Sequence, residues 1–87
     1  MAYQVFYTRP ALKDAKKLSQ AGLQQKAEKL IAVIAGNPFQ YPPPYEKLSG
    51  SLTGLYSRRI NVQHRLVYQV FKDQHAIKVL RMWTHYE

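Results

Sequence analysis

The first residues and the last third of the chain have the hydrophobic pattern of β-strands. Residues 3–8 are rich in aromatic and β-branched side chains, which favours a strand. From Leu55 onwards apolar and polar positions alternate, and two short polar breaks interrupt the alternation. The pattern therefore predicts three further strands, which cover residues 55–60, 65–71 and 76–84.

Between these strands, apolar residues recur at the three- and four-residue spacing of amphipathic helices. The first helix begins at Arg9-Pro10, with Thr8 as its N-cap, and ends near Gly22. A second helix covers residues 23–35 and is stopped by Gly-Asn-Pro at 36–38. The apolar faces of the two helices comprise Ala11, Leu12, Ala15, Leu18, Leu23, Ala27, Leu30, Ile31 and Ile34.

The element order β-α-α-β-β-β is typical of an α+β domain. Because the last three strands follow the helices along the chain, we expect an antiparallel sheet that the helix hairpin covers on one face. The other face of the sheet then stays open to solvent or to a ligand. A length of 87 residues leaves room for one domain, residues 1–87.

The chain carries an excess of positive charge, which favours a polyanionic partner. Thirteen Lys and Arg residues outnumber five Asp and Glu residues, for a formal net charge of +8. Nucleic acid, an anionic membrane or an acidic protein would match this charge. A membrane-bound helix is the weaker option, since both helices need their apolar faces for the core. Because no apolar run approaches the roughly 20 residues of a membrane span, we expect a cytoplasmic protein.

Cysteine chemistry is excluded, because the chain contains no cysteine. The three histidines, at positions 64, 75 and 85, lack the spacing of metal ligands, and carboxylates are scarce. We therefore predict no metal ion and no cofactor. His64 and His75 fall in predicted turns, where we interpret His64 as structural and His75 as incidental.

One carboxylate, Glu46, follows a stiff loop of three consecutive prolines and interrupts the positive second half of the chain. RNA carries its own nucleophile, the 2′-hydroxyl, so its cleavage needs a base, a cation at the phosphate and an acid. Glu46 can act as the base, Arg65 as the cation and His85 as the acid. A histidine suits the last role, since its ordinary pKa is about 6.5. Without family context, however, Glu46 is more simply interpreted as a surface carboxylate and His85 as part of a frayed chain end. Together the three residues fit a metal-independent RNA endonuclease.

Other side chains of the second half have both structural and functional interpretations. Arg58 and Arg59 lie on opposite faces of a strand, and each is either a solvated side chain or a phosphate contact. Trp83 belongs to the core or stacks on RNA bases. A period of two places Trp83 on one strand face with Arg81 and His85.

Several segments resemble one family closely. Glu-Lys-Leu at 46–48, the segment 50–61, His-Arg-Leu-Val-Tyr at 64–68 and the C-terminal His85-Tyr86 are similar to the YoeB/Txe branch of the RelE-like toxins. The resemblance extends over nearly the whole chain and implies a RelE-like fold of the microbial RNase type. It also implies a type II toxin that cleaves mRNA in the ribosomal A site and so inhibits translation. An antitoxin of the YefM/Axe type holds such toxins inactive.

The same resemblance implies roles for single residues: Glu46 as general base, Arg65 as phosphate-stabilising arginine, and His85 as general acid beside Tyr86. Tyr86 here precedes a final glutamate, whereas chains of this branch can end on the tyrosine. The spacing from Arg65 to His85 is also slightly longer than in the shortest chains of this branch. If the additional residue lies in the turn before the last strand, His85 stays on the same face of that strand. If it lies inside the last strand, His85 moves to the opposite face. The remaining candidate RNA contacts are Arg59, Lys47, Arg58 and Trp83.

The sequence leaves some alternatives open. A non-catalytic basic module could block the ribosome through an open sheet with Tyr56, Tyr68 and Trp83, and inhibition would then not need Glu46. A DNA-binding transcription factor fits less well, because neither helix has a face rich in residues that read base edges. The chain could form a homodimer or a hetero-oligomer with its antitoxin.

Overall fold

The computed structural model describes residues 2–50 and 54–84 of the chain. His85 and Tyr86, the expected general acid and its neighbour, lie outside the described residues. Their assigned roles therefore stay predictions.

Two helices and five strands make up the described part of the chain. The elements in chain order are β1 (Gln4–Tyr7), α1 (Arg9–Gln20), α2 (Gln24–Gly36), β2 (Glu46–Lys47), β3 (Leu55–Arg59), β4 (Arg65–Phe71) and β5 (Ala76–Thr84). The two predicted helices and the four predicted strands are confirmed. Strand β2 was not expected, because two residues are too few to show an alternation. Neither of the two described helices is long and apolar enough to cross a membrane.

Helix α1 begins as the sequence predicts. The side-chain oxygen of Thr8 accepts a hydrogen bond of 3.1 Å from the backbone N–H of Ala11, which satisfies one of the free donors of the first turn. The same hydroxyl donates to the carbonyl of Leu80 over 2.9 Å. The N-cap therefore also ties the start of α1 to β5.

The five strands form one sheet in the order β1-β5-β4-β3-β2. Strand β1 runs parallel to β5, and the other neighbouring pairs are antiparallel. The expectation of a purely antiparallel sheet is therefore wrong at one edge. The connection between β1 and β5 comprises both helices and strands β2–β4, so it is long enough for β1 to lie beside β5 in the same direction. The α+β class itself is confirmed.

The hydrophobic core lies between the helices and one face of the sheet. Leu12, which we assigned to the apolar face of the first helix, is instead 57% exposed. The buried core residues are Ala11, Leu18, Ala27, Ile34, Ile60, Leu66, Tyr68, Ile77, Val79 and Met82.

Asp14 is buried on α1 and joins this helix to the end of β5. Its carboxylate accepts hydrogen bonds from Nε of Arg81 at 2.8 Å and from the backbone N–H of Met82 at 2.9 Å. Burial raises the pKa of Asp14, but these hydrogen bonds and the charge of Arg81 outweigh burial and hold the pKa below its ordinary value. Helix α1 therefore anchors the strand that leads to the C-terminal residues.

The last part of β5 is irregular. Val67 on β4 pairs with Arg81 and Arg65 pairs with Thr84, so two positions along β4 correspond to three positions along β5. A second register shift lies between the partners of Val67 and Tyr68. Such irregularities break the strict alternation of side chains. The register alone therefore does not fix whether Arg81 and Trp83 share a strand face, and that placement stays a prediction. His85 lies beyond the described residues, and the position of the insertion that separates it from Arg65 stays a prediction.

Candidate active site

Arg58 is 1% exposed, and its guanidinium lies inside the protein beside the proline loop. Its terminal nitrogens donate to the carbonyls of Pro43 at 2.5 Å, Gln40 at 2.8 Å and Pro38 at 3.1 Å. Its Nε donates to the hydroxyl of Tyr68 at 3.0 Å. Both interpretations of Arg58, as a solvated side chain and as a phosphate contact, are therefore wrong, because its guanidinium is buried and bonded within the protein.

These bonds fix the loop that leads into β2. Prolines have no N–H group, so the loop cannot be held by a regular backbone ladder. The guanidinium of Arg58 instead gathers three loop carbonyls, and it also lies over the ring of Tyr45, with 4.9 Å between Cζ and the ring centroid. Glu46, the first residue of β2, consequently follows a loop of fixed shape.

The sheet register places four polar side chains on one face near the β2 edge. Glu46 lies opposite Ser57, and Arg59 lies opposite Arg65. Ser57 and Arg59 point to the same face because side chains alternate along a strand, and Arg58 points to the other. The predicted separation of the two neighbouring arginines is thus confirmed. A cavity of about 350 Å³ on this face is lined by Pro43, Pro44, Tyr45, Glu46, Ser57, Arg59 and Arg65.

Glu46 and Arg65 form an ion pair across this cavity. Oε1 of Glu46 lies 3.6 Å from a terminal nitrogen of Arg65, and the two side chains are 70% and 20% exposed, respectively. The distance exceeds that of a hydrogen bond, so the pair is loose. Arg59 is exposed and adds a second guanidinium to the cavity. The structure thus brings together the carboxylate and two of the arginines that the sequence singled out.

Ser57 belongs to the same cavity, although nothing in the sequence analysis pointed to it. Its residue is 2% exposed, and within the described residues its Oγ has no hydrogen-bond partner. Buried hydroxyl groups nearly always have one. A single serine in a strand is too common to be a signal. Its position two residues before Arg59, on the same strand face, is the one feature that could have indicated it.

Lys47 does not line the cavity. It follows Glu46 on β2 and lies opposite Tyr56, so its side chain points to the other face of the sheet edge. Lys47 is exposed, and its expected contact with RNA stays a prediction.

Trp83 is half-buried, packs against the hydrophobic core and stacks on His64. The two ring centroids lie 3.9 Å apart at an interplanar angle of 19°. Nδ1 of His64 lies 2.8 Å from the carbonyl oxygen of Trp83, and because a carbonyl can only accept, Nδ1 is the donor. His64 therefore has the structural role expected of it. The core interpretation of Trp83 is supported, and its stacking on RNA bases stays a prediction.

Within residues 2–50 and 54–84, no group of three or more His, Asp or Glu side chains is placed to hold a metal ion. The side-chain groups of the cavity are instead a carboxylate, a hydroxyl and two guanidinium groups, together with proline and tyrosine. Guanidinium groups bind phosphate and carboxylate groups in a two-pronged geometry. The two guanidinium groups of the cavity are therefore suited to bind an anion next to the carboxylate of Glu46.

One protein family matches the chain over most of its length. The profile of the YoeB-like toxin of bacterial type II toxin-antitoxin systems matches residues 7–86. A relative from Streptomyces coelicolor, toxin YoeB, is 42% identical over 59 residues, which cover 68% of this chain and 70% of that protein.

Two solved structures from Staphylococcus aureus share the fold over nearly the full length. A chain of the YoeB-YefM complex is 34% identical with a TM-score of 0.81, and the YoeB dimer is 34% identical with a TM-score of 0.83. Each alignment covers 99% of this chain and 100% of the other. Since family profile, sequence relatives and fold agree, the chain belongs to the YoeB-like toxins of bacterial type II toxin-antitoxin systems.

Proposed function

We propose that this toxin is a ribosome-dependent endoribonuclease that cuts mRNA in the ribosomal A site and so inhibits translation. The observation that carries the proposal is the cavity in which Glu46 lies with Arg59 and Arg65. Cleavage of RNA through its own 2′-hydroxyl needs a base and preorganised positive charge at the phosphate. A carboxylate and two guanidinium groups in one cavity are suited to these roles.

Glu46 is the general base of the proposed reaction. Its side chain is 70% exposed and can meet a ribose held in the cavity. The carboxylate takes the proton of the 2′-hydroxyl, and the 2′-oxygen forms a bond to the adjacent phosphorus. The bond from phosphorus to the 5′-oxygen breaks, which leaves a 2′,3′-cyclic phosphate and a 5′-hydroxyl end. His85, beside Tyr86, gives the proton to the leaving 5′-oxygen.

Arg65 and Arg59 stabilise the negative charge that grows on the phosphoryl oxygens. Arg65 is 20% exposed and held on β4, so it is already in place before the reaction. A planar guanidinium can contact two oxygens at once. When the phosphate becomes the partner of Arg65, Glu46 is released from its ion pair and is available to take a proton.

The ribosome supplies binding and orientation that this small cavity does not. A cavity of about 350 Å³ encloses too little of an RNA strand to hold it firmly. We therefore expect ribosome-bound mRNA to be cut far faster than the same RNA alone. Action on translating ribosomes also places the toxin in the cytoplasm.

We infer that an antitoxin of the YefM/Axe type neutralises the toxin. One of the similar solved structures is a YoeB-YefM complex, and another is a YoeB dimer. The net charge of +8 would attract an acidic antitoxin segment to the cationic cavity. Expression of the toxin alone should arrest growth, and co-expression of the antitoxin should relieve the arrest. Normal growth with abundant folded toxin would contradict this role.

The experiment that tests the nuclease is mRNA cleavage in a defined cell-free translation mixture. Wild-type toxin is compared with Glu46→Gln, Arg65→Ala and His85→Ala, and circular dichroism confirms that each variant is folded. Loss of a group that transfers a proton should slow cleavage by roughly 10²- to 10⁴-fold. Glu28→Gln, which changes an exposed carboxylate on α2, is the matched control and should cleave like the wild type.

Two outcomes would oppose the proposal in different ways. Inhibited translation with intact mRNA would make the toxin a ribosome-blocking module without catalysis. Equal cleavage of naked and ribosome-bound RNA would remove the ribosome from the mechanism but keep the nuclease.

A further inference from the structure

We propose that the buried hydroxyl of Ser57 binds the scissile phosphate, as a third hydrogen-bond donor beside Arg59 and Arg65. The inference rests on the proposed nuclease function and adds a residue to it. Ser57 would be a substrate contact on the floor of the cavity, where the sheet itself positions its side chain.

The first argument is that the Ser57 hydroxyl is left unpaired. Ser57 is 2% exposed, and its Oγ has no hydrogen-bond partner among the described residues. A buried donor without a partner is unfavourable, and proteins retain few of them. An unmade hydrogen bond inside a cavity that also holds a base and two cations indicates a partner that arrives with the substrate.

The second argument is the position of Ser57 in the register. It lies directly opposite Glu46 on β2 and two residues before Arg59 on the same face of β3. Neighbouring strands lie about 4.8 Å apart, so the hydroxyl is within one strand spacing of the backbone of the proposed base. A phosphate that meets the guanidinium of Arg59 and is adjacent to the ribose at Glu46 must lie over Ser57.

The third argument is that the ion pair spans the strand on which this hydroxyl lies. Glu46 is on β2 and Arg65 is on β4, so their contact of 3.6 Å passes over β3, the strand of Ser57. The pair is loose, and the carboxylate is largely exposed. A phosphate that takes Arg65 as its partner separates the pair. The same event releases the base.

The test combines stability and cleavage of Ser57→Ala. The variant loses a hydroxyl that has no partner in the free toxin, so its Tm should stay the same or rise by up to about 5 °C. It also loses a hydrogen bond to a charged phosphate, so its kcat/KM on ribosome-bound mRNA should fall by about 10- to 100-fold. Ser19→Ala, at an exposed serine of α1, should change neither quantity.

A phosphorothioate at the scissile position identifies the contact. Sulphur accepts hydrogen bonds weakly, so in wild-type toxin the diastereomer with sulphur facing Ser57 should be cut more slowly than the other. In Ser57→Ala, the difference between the two diastereomers should shrink, since its cause is gone.

Each contrary result overturns a defined part of the argument. If Ser57→Ala cleaves like the wild type, or shows the same difference between the two diastereomers as the wild type, Ser57 is not a phosphate contact. If the variant melts at a clearly lower temperature, the hydroxyl is structural in the free toxin. If wild-type toxin leaves ribosome-bound mRNA intact, the proposed nuclease itself fails, and the phosphate contact with it.

Discussion

Arg58 on β3 and Tyr68 on β4 form a hydrogen-bonded pair in the interior, and both bind the loop 38–43 that precedes β2. Nε of Arg58 donates to the Tyr68 hydroxyl over 3.0 Å, and this hydroxyl donates to the carbonyl of Pro38 over 2.9 Å. Burial raises the pKa of Tyr68, although the adjacent guanidinium acts in the opposite direction. The phenol therefore stays protonated and keeps donating at neutral pH and above.

We predict that Arg58→Met destabilises the toxin by about 3 kcal/mol, because the buried Tyr68 hydroxyl and the carbonyls of Pro38, Gln40 and Pro43 lose their charged donor. Arg59→Met is the matched control on the next residue of the same strand. Its side chain is exposed, so stability should change by less than about 0.5 kcal/mol, while cleavage of ribosome-bound mRNA should fall. Urea unfolding measures the first effect. Equal stability losses in both variants would contradict the division of roles between the two arginines.

Arg58 and Arg59 also show which features of the site the sequence could predict and which it could not. Alternation along β3 was enough to predict that Arg58 and Arg59 face opposite sides of the sheet. It could not show which side is buried, and arginine is among the residues expected at the surface. The burial of Arg58 depends on carbonyls of the loop 38–43, which come close only in the folded chain.

The elements themselves were predictable, because helices and strands leave different periods in the sequence. The direction of β1 was not, since it pairs with β5, more than 70 positions away, and no local pattern encodes that partner. In the site, Glu46, Arg59 and Arg65 were found by charge and family resemblance. Ser57 was missed because its importance depends on an absent hydrogen bond within the described structure.

Asp14→Asn should lower the free energy of unfolding at neutral pH by roughly 1–3 kcal/mol, because the buried carboxylate bonds Arg81 and the N–H of Met82. The pKa of Asp14 is lower in the folded state than its ordinary value of 3.8. Its contribution is therefore present above that value and is lost as the pH falls through the folded pKa.

Urea unfolding between pH 7 and pH 3 tests this assignment. The wild type should lose more stability than Asp14→Asn as the pH falls, so the two curves should converge at acidic pH. Asp73→Asn, in an exposed turn, should remain parallel to the wild type. A constant gap between wild type and Asp14→Asn at every pH would show that the charge of Asp14 does not stabilise the fold.

His64→Phe should keep the stack on Trp83 but lose the hydrogen bond to its carbonyl. We expect a stability loss of about 1 kcal/mol and slower cleavage, because this bond ties the residue before Arg65 to the end of β5. His75→Phe is the matched control, since His75 also stacks on an aromatic ring, that of Tyr3, with centroids 3.9 Å apart. The cleavage rate of folded His75→Phe should equal that of the wild type. A similar loss of cleavage rate in both variants would contradict the role of His64.

Salt dependence can separate the cations that contact phosphate from those that do not. In a Glu46→Gln background, which should bind without cutting, Arg59→Gln should reduce the slope of log K against log salt for ribosome-bound mRNA by about 0.7, the share of one phosphate contact. Lys47→Gln removes the same charge one strand away, but Lys47 points to the other face of the sheet edge and does not line the cavity. If this cavity alone binds the phosphates, the slope for Lys47→Gln should therefore match that of the Glu46→Gln background, whereas a separate RNA contact of Lys47 outside the cavity would reduce it. An equal reduction in both variants would mean that general positive charge, rather than this cavity, binds the RNA.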